Sequence, residues 1–449
     1  MASVRGVKVA RRATYFVVAQ VFDILRGDPS LLVFFDDGGH GLSPPASLQS
    51  PAWRLNSCSP HSAHSMKITA IRSHLMGIPG PGGLAPSRNW IFVEVETDAG
   101  ITGIGEATTE YHEYAVTAMI DEHFAPLLVG RDPTRVHDAW QQMQRCFWWR
   151  GGVVASSATS GIEQALWDVT GKAYGQPVYK LLGGAVRDHV RTYARTDLGR
   201  STYGEEASSA VSEGFDAFKF GPGRHVQPFS DEKQVDVALG AAREIREAAG
   251  PKCDLMIDCG GIFSTQAAHR LITGLREVRM LFVEEPVNMD TPRGLVELRR
   301  AFPDMRIAAG ERLMTRWQFR DWLEQGAVDV IQADISHCGG IGELLRIGSY
   351  AEVHNVTVAP HNPYGPVAMA ANVHVALSMP NFLILEHCRH RPWFDEVQVH
   401  GIVVKEGLVE PPDRPGLGVE LDWDYVKKHS YYHLPLRAFR SGDGSVPPV

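Results

Sequence analysis

Between about residues 190 and 390 the chain repeats one rhythm: a short apolar run, a polar or charged residue that closes it, then a helical stretch. The runs are VRTYAR, AFKF, CDLMID, MLFVEE, RIAAGE, DVIQAD, VTVAPH and FLILE. Most are closed by a residue of chemical use: Lys219, Asp258, Glu284, Glu311, Asp334, His361 and Glu386. From Asp258 onward these are 26, 27, 23, 27 and 25 residues apart. One strand, one crossover helix and two short loops need about that length. Strand-like segments in this rhythm predict a (β/α) barrel, with the closing residues at its C-terminal mouth, where barrel active sites lie. An open parallel sheet with scattered polar strand ends is the alternative. It leaves useful side chains at the same end of successive strands unexplained.

The flanking regions read differently. From Met66 to about Glu106 the pattern is strand-like, with NWIFVEVETDAGITGIGEA as two alternating strands joined at Asp98-Ala99-Gly100. Helical patterns follow in EYAVTAMIDEHFAPLLVG, VHDAWQQMQRCFWW and SSATSGIEQALWDVTGKAYG. Residues 66–190 therefore read as an α+β unit, 191–390 as the barrel, and 391–449 as a segment that packs back on the first unit. Residues 1–65 begin basic, carry an apolar stretch broken by Gln20 and Asp23, and run into Ser, Pro and Gly. They read as a disordered extension, or as sequence upstream of a start at Met66, in preference to a targeting peptide.

Composition narrows the partners. A formal net charge of -8 argues against a nucleic-acid footprint. No apolar run approaches the length of a membrane helix. The six cysteines (58, 146, 253, 259, 338, 388) form no CxxC pair, which fits unpaired thiols in a reducing, cytoplasmic compartment.

Asp258, Glu284 and Glu311 close three consecutive strands. Three carboxylates brought together repel unless a cation lies between them. An all-oxygen donor set favours Mg²⁺, although pairing with a base such as Arg312 would serve structurally. Asp334 and His361 close the next two strands, where an aspartate on one imidazole nitrogen would make the other a better base. Glu386 on the eighth strand could donate to an anionic oxygen if protonated, or bind a substrate hydroxyl if ionised. A metal and a base of near-neutral pKa suit abstraction of a proton next to a carboxylate, with the metal stabilising the enediolate.

The stretches GIEQALWDVTGKAYGQPVYKLLGG, MIDCGG, LFVEEPV, IAAGERL, IQADISHCGGI, TVAPHNPYGPVA and RPGLGVE resemble the enolase superfamily, in its mandelate racemase/muconate lactonizing enzyme branch. From Met66 to about His429 the chain is most similar to sugar-acid dehydratases of the D-galactonate dehydratase kind. The resemblance implies a modified (β/α)7β TIM barrel under an α+β capping domain. It further implies Mg²⁺ on Asp258, Glu284 and Glu311, a His361–Asp334 dyad as base, and Glu386 near the substrate, with Glu285 in support. Two departures stand out. Gly221 replaces the second lysine of a Lys-x-Lys motif begun by Lys219, which favours a one-base reaction over racemisation. Gly260 replaces the histidine that serves galactonate dehydratases as the acid for the departing hydroxyl.

The expectation is thus a Mg²⁺-dependent hydro-lyase that converts an aldonic or aldaric acid into a 2-keto-3-deoxy acid. A cycloisomerase or epimerase, or a catalytically silent ligand-binding relative, are the alternatives. The general acid is left open among His361 itself, Lys219, Tyr111, His112, Arg150 and Tyr364. Segments 75–90 and 108–114 are candidate lids; His337 and His387 read as structural or supporting. The partner is a small sugar acid, with no nucleic acid and no membrane, and a homo-oligomer is expected.

Overall fold

The computed structural model describes residues 66–78, 88–145, 148–196, 202–222, 232–389 and 391–434. The extension 1–65 and the core of the first candidate lid, 79–87, lie outside them.

Three strands open the described chain: β1 (Ile68–Ile78), β2 (Arg88–Thr97) and β3 (Thr102–Glu106), an antiparallel sheet in the order β1-β2-β3. The turn between β2 and β3 passes through Gly100 at a φ of 71°. Helices α1 (Val136–Arg145) and α2 (Val153–Tyr174) cover the sheet. Contact between β3 and α2 depends on glycines. A Cβ at Gly105 would lie 1.9 Å from the Gly161 carbonyl oxygen, and one at Gly103 would lie 2.2 Å from that of Ala165.

The alternation then begins: β4 (Val190–Arg195), α3 (Tyr203–Ser212), β5 (Ala217–Phe220), α4 (Glu232–Ala249), β6 (Asp254–Asp258), α5 (Thr265–Leu275), β7 (Met280–Glu284), α6 (Arg293–Ala301), β8 (Ile307–Ala309), α7 (Thr315–Glu324), β9 (Val330–Ile331), α8 (Ile341–Val353), β10 (Thr357–Val358), α9 (Pro366–Ser378) and β11 (Leu385–His387). The strand order is β10-β9-β8-β7-β6-β5-β4-β11, every neighbouring pair parallel. The ring closes just before β11. The Val358 amide donates to the Asn381 carbonyl at 2.9 Å, and the Leu383 amide to the Val358 carbonyl at 2.8 Å. The expected barrel is therefore present.

Its interior is one cluster with a residue from each strand or strand edge: Tyr193, Ala217, Met256, Phe282, Ala308, Val330, Ala359 and Ile384. Alternate positions, such as Phe218, Leu255, Ile257, Val283 and Ile307, pack outward under the helices. Each large side chain buried in this way is worth about 1.5–3 kcal/mol.

After β11 the chain runs back to the first sheet. The strand Leu408–Val409 pairs antiparallel with the start of β4. The Leu417 amide donates to Asp168 on α2 at 2.7 Å, and the Gly77 amide to the His429 carbonyl at 2.9 Å. Among the described residues no helix is long and apolar enough to cross a membrane. The described cysteines Cys253, Cys259, Cys338 and Cys388 are free and buried.

Candidate active site

Two residues beyond each interior position, the side chain faces the barrel axis again. Applied around the ring, this places Arg195, Lys219, Asp258, Glu284, Gly310, Gln332, His361 and Glu386 at the next inward position. Five of the seven residues singled out from strand ends are among them. Glu311 and Asp334 are offset. Strand β8 ends at Ala309, and the chain turns through Gly310 at a φ of 137° before Glu311. Strand β9 ends at Ile331, and Asp334 comes three residues later. Both reach the mouth from loops, as does His361, which follows β10.

His361 and Asp334 do meet. His361 Nδ1 lies 2.7 Å from Asp334 Oδ2, and the other carboxylate oxygen accepts the Ser336 amide at 2.7 Å. His361 Nε2 faces Glu311 Oε2 at 3.3 Å and Glu386 Oε2 at 4.0 Å. Burial alone would lower the His361 pKa, but Glu311, the Asp334 hydrogen bond and Glu386 outweigh it and push it up to about 10. This departs from the near-neutral base expected. The sequence pattern does not show how many carboxylates surround the ring.

Lys219 is buried. Its ammonium lies 2.8 Å from Glu284 Oε2 and 3.5 Å from Glu386 Oε1, over the Tyr193 ring. Burial opposes its charge, yet Glu284 and Glu386 hold its pKa well above the ordinary lysine value. Glu386 is raised by burial, but Lys219, His361, Arg195 and the Asn362 amide more than compensate and hold it well below the usual carboxylate range. Of the two states left open for Glu386, these partners favour the ionised one.

The chemistry of the three strand-end carboxylates fits a hard dication. Asp258 and Glu284 are register partners on adjacent strands. Burial raises Glu284 to about 8; Lys219 pulls it down, while Asp258, Glu311 and Glu386 push it back up. A local excess of negative charge is what a cation would relieve. Yet the donor atoms do not point at one centre: among the described residues no three metal-ligating side chains do so. Repelled by one another, the carboxylates turn to the nearest cationic or imidazole partner, Glu284 to Lys219 and Glu311 to His361. Glu285, buried at a φ of 39°, pairs with Arg312 at 3.0 Å, and Arg312 also donates to the Gly260 carbonyl at 3.1 Å.

Two inward residues were not legible as site residues. Arg195 closes β4 and lies 3.8 Å from Glu386 Oε1. Gln332 is fully buried with neither amide atom hydrogen-bonded among the described residues. The count of two residues that finds both starts from interior positions, and these are defined by the closed barrel. Of the other candidates, Tyr111, His112 and Arg150 are exposed loop residues. Tyr364 is buried with its hydroxyl on His337 Nε2 at 2.9 Å. His387 is part-buried and stacks on Phe215, and burial lowers its pKa to about 4.

Residues 85–183 match the N-terminal domain of mandelate racemase/muconate lactonizing enzymes, and residues 202–425 match the enolase C-terminal domain-like family. The D-galactonate dehydratase of Xanthomonas oryzae pv. oryzae (strain PXO99A) is 37% identical over 373 residues, covering 80% of this chain and 96% of that one. The D-galactonate dehydratase of Ralstonia pickettii (strain 12J) is 37% identical over 391 residues, covering 85% and 99%. A crystal structure of an enolase superfamily member from Salmonella Typhimurium superposes with a TM-score of 0.75 at 31% identity, covering 81% of this chain and 98% of that one.

Proposed function

The chain belongs to the mandelate racemase/muconate lactonizing enzyme branch of the enolase superfamily, and from that premise we propose that it is a hydro-lyase that dehydrates an aldonic or aldaric acid to a 2-keto-3-deoxy acid. The observation that carries this reading is the pairing of His361 with Asp334 beside Glu311, across the mouth from a lysine locked as an ammonium ion.

Asp258, Glu284 and Glu311 would hold Mg²⁺, as superfamily members generally do; bound there, the ion would offset the charge of the substrate carboxylate and acidify the neighbouring C–H. Asp334 keeps His361 Nδ1 as the donor, so Nε2 is the atom that takes the α-proton. Glu311 is the largest influence raising the His361 pKa. Positive charge placed beside that carboxylate therefore brings the imidazole back toward neutrality and frees Nε2. The electron pair left by the proton forms the C2–C3 double bond as the C3 hydroxyl leaves. The imidazolium returns its proton to that hydroxyl, and water departs in a syn sense. The enol then tautomerises to the 2-keto acid.

Lys219, fully protonated and held between Glu284 and Glu386, cannot serve as a second base. Two residues on, a Cβ at Gly221 would meet just one atom within 4 Å among the described residues, the Asp258 carbonyl oxygen. No side chain from that position supplies a base on this face. That favours a one-base elimination over an epimerase. The test is a screen of aldonic and aldaric acids with Mg²⁺, read by 2-keto acid formation and by α-proton exchange in D₂O. Dehydration of at least one acid is expected, with exchange lost in His361→Asn. Epimerisation without dehydration would sink the reaction assignment. Absence of exchange with any bound acid would favour a silent ligand-binding relative.

A further inference from the structure

The loops that carry the dyad are held by carboxylates from outside the barrel. Asp334 starts the loop that leads into α8, and His361 starts the loop that leads into α9. Both helices begin after a glycine, Gly340 and Gly365, and so lack a capping side chain of their own. At α9 the place is taken by Glu106, the last residue of β3. Its Oε1 accepts the Gly365 amide at 2.8 Å and its Oε2 accepts the Ala368 amide at 2.9 Å. A capping box ties down these same two amides with a helix's own side chains. A Cβ at Gly365 would sit 2.7 Å from either Glu106 oxygen, so the carboxylate occupies the space that a capping side chain would fill.

The arrangement recurs at α8. Glu163, from the middle of α2, accepts the Ile341 amide at 2.7 Å and the Gly342 amide at 2.8 Å. A Cβ at Gly340 would lie 2.2 Å from its Oε2. The two loops are also tied to each other and to α2. His337 lies between Ser157 Oγ at 2.8 Å and the Tyr364 hydroxyl at 2.9 Å. Ser157 spends its only hydroxyl proton on the Val153 carbonyl at 2.6 Å. His337 Nδ1 therefore donates to Ser157, and Nε2 accepts from Tyr364. Ser160 on α2 accepts the Gly339 amide at 2.9 Å.

Both acids are fully buried, and burial lifts each to about 7 against the hydrogen bonds that lower it. Burying two carboxylates is costly, whereas most helices are capped by a Ser, Thr, Asp or Asn of their own. What the borrowed caps add is a fixed relation between the first α+β unit and the loops bearing Asp334 and His361.

We infer that Glu106 and Glu163 are positioning residues, which set the His361–Asp334 geometry by capping from the first unit the two helices that follow these loops. The inference rests on the reading of that pair as the base, and its test separates the two. In the full chain with ¹⁵N-labelled histidine, the proton shared between His361 Nδ1 and Asp334 gives a downfield resonance, assigned by its loss in His361→Asn. Glu106→Ala and Glu163→Ala should each shift or broaden that resonance. Glu106→Gln and Glu163→Gln keep the side-chain volume and one acceptor oxygen, and should give smaller changes of the same kind. Asp168→Asn is the control. Asp168 is the other buried acid of α2, but it holds the Ile104 and Leu417 amides, away from both loops. It should lower Tm and leave the resonance in place. An unmoved resonance in folded Glu106 and Glu163 variants overturns the inference, as does an equal shift in Asp168→Asn. Misfolding of either alanine variant leaves the glutamine variants to decide. If His361→Asn retains α-proton exchange, the base assignment fails while the resonance shifts still stand.

Discussion

Gly260 shows how much one residue can carry. The Asp258 carboxylate accepts the Gly260 amide at 2.9 Å, which bends the chain sharply after β6. Gly260 and Gly261 then take φ values of 58° and 78°, a region that disfavours most side chains. Cys259 turns outward into the packing under the helices, so the alternation of β6 continues past Asp258. The two glycines differ in their surroundings. Among the described residues a Cβ at Gly260 meets nothing within 4 Å, whereas one at Gly261 lies 3.4 Å from the Val287 carbonyl. Gly260→Asn should therefore cost only its left-handed conformation, about 1 kcal/mol. Gly261→Asn should cost more. Thermal melts of the two variants check this, and equal losses would show that steric surroundings do not matter here. Among the described residues, the space above Gly260 is open.

At the scale of elements, α2 is the organising piece. It is almost wholly buried and presents Ser160, Glu163, Gln164 and Asp168 to backbone groups elsewhere. Its distance from β3 is set by glycine. With only hydrogen at Gly105, the strand comes against the Gly161 carbonyl. Gly105→Ala must push α2 away from the sheet. Because α2 carries Glu163 and β3 carries Glu106, the shift disturbs both helix caps. A loss of about 3 kcal/mol or failure to fold is expected, read by urea denaturation. A variant as stable as the wild type would mean that the helix can move without cost, and that its polar contacts are loose.

Across the whole molecule, the barrel and the first unit are joined through buried groups whose charge depends on pH. His374 of α9 accepts the Tyr179 amide at 3.1 Å, and burial holds its pKa down to about 4. An unfolded chain takes up that proton near pH 6.5, so stability present above 6.5 is lost as the pH falls toward 4. The amount is roughly 2–3 kcal/mol between pH 7 and 4.5. Glu106 and Glu163 act in the opposite sense. Their pKa values are raised, so the folded state binds protons first and gains relative stability as the pH falls from 7. The wild-type profile therefore mixes the two. The difference between wild type and His374→Asn isolates the histidine. Wild type should lose stability relative to the variant on going from pH 7 to 4.5, and a pH-independent difference would contradict the assignment.

The sequence by itself determined the barrel and which polar residues close most of its strands. Side-chain alternation and the recurring length of one strand and one crossover are local properties, and they place Asp258, Glu284, His361 and Glu386 at one end of successive strands. Only the tertiary structure decided the rest. Arg195 and Gln332 join the inward ring by a count from interior residues that exists only once the barrel has closed. The charge states of His361, Lys219 and Glu386 depend on a summed field from several strands. Glu106 and Glu163 reach backbone amides 259 and 178 residues further along the chain. No local pattern marks a carboxylate whose partners are the bare ends of distant helices; that pairing arises when the two units pack and exclude water from between them.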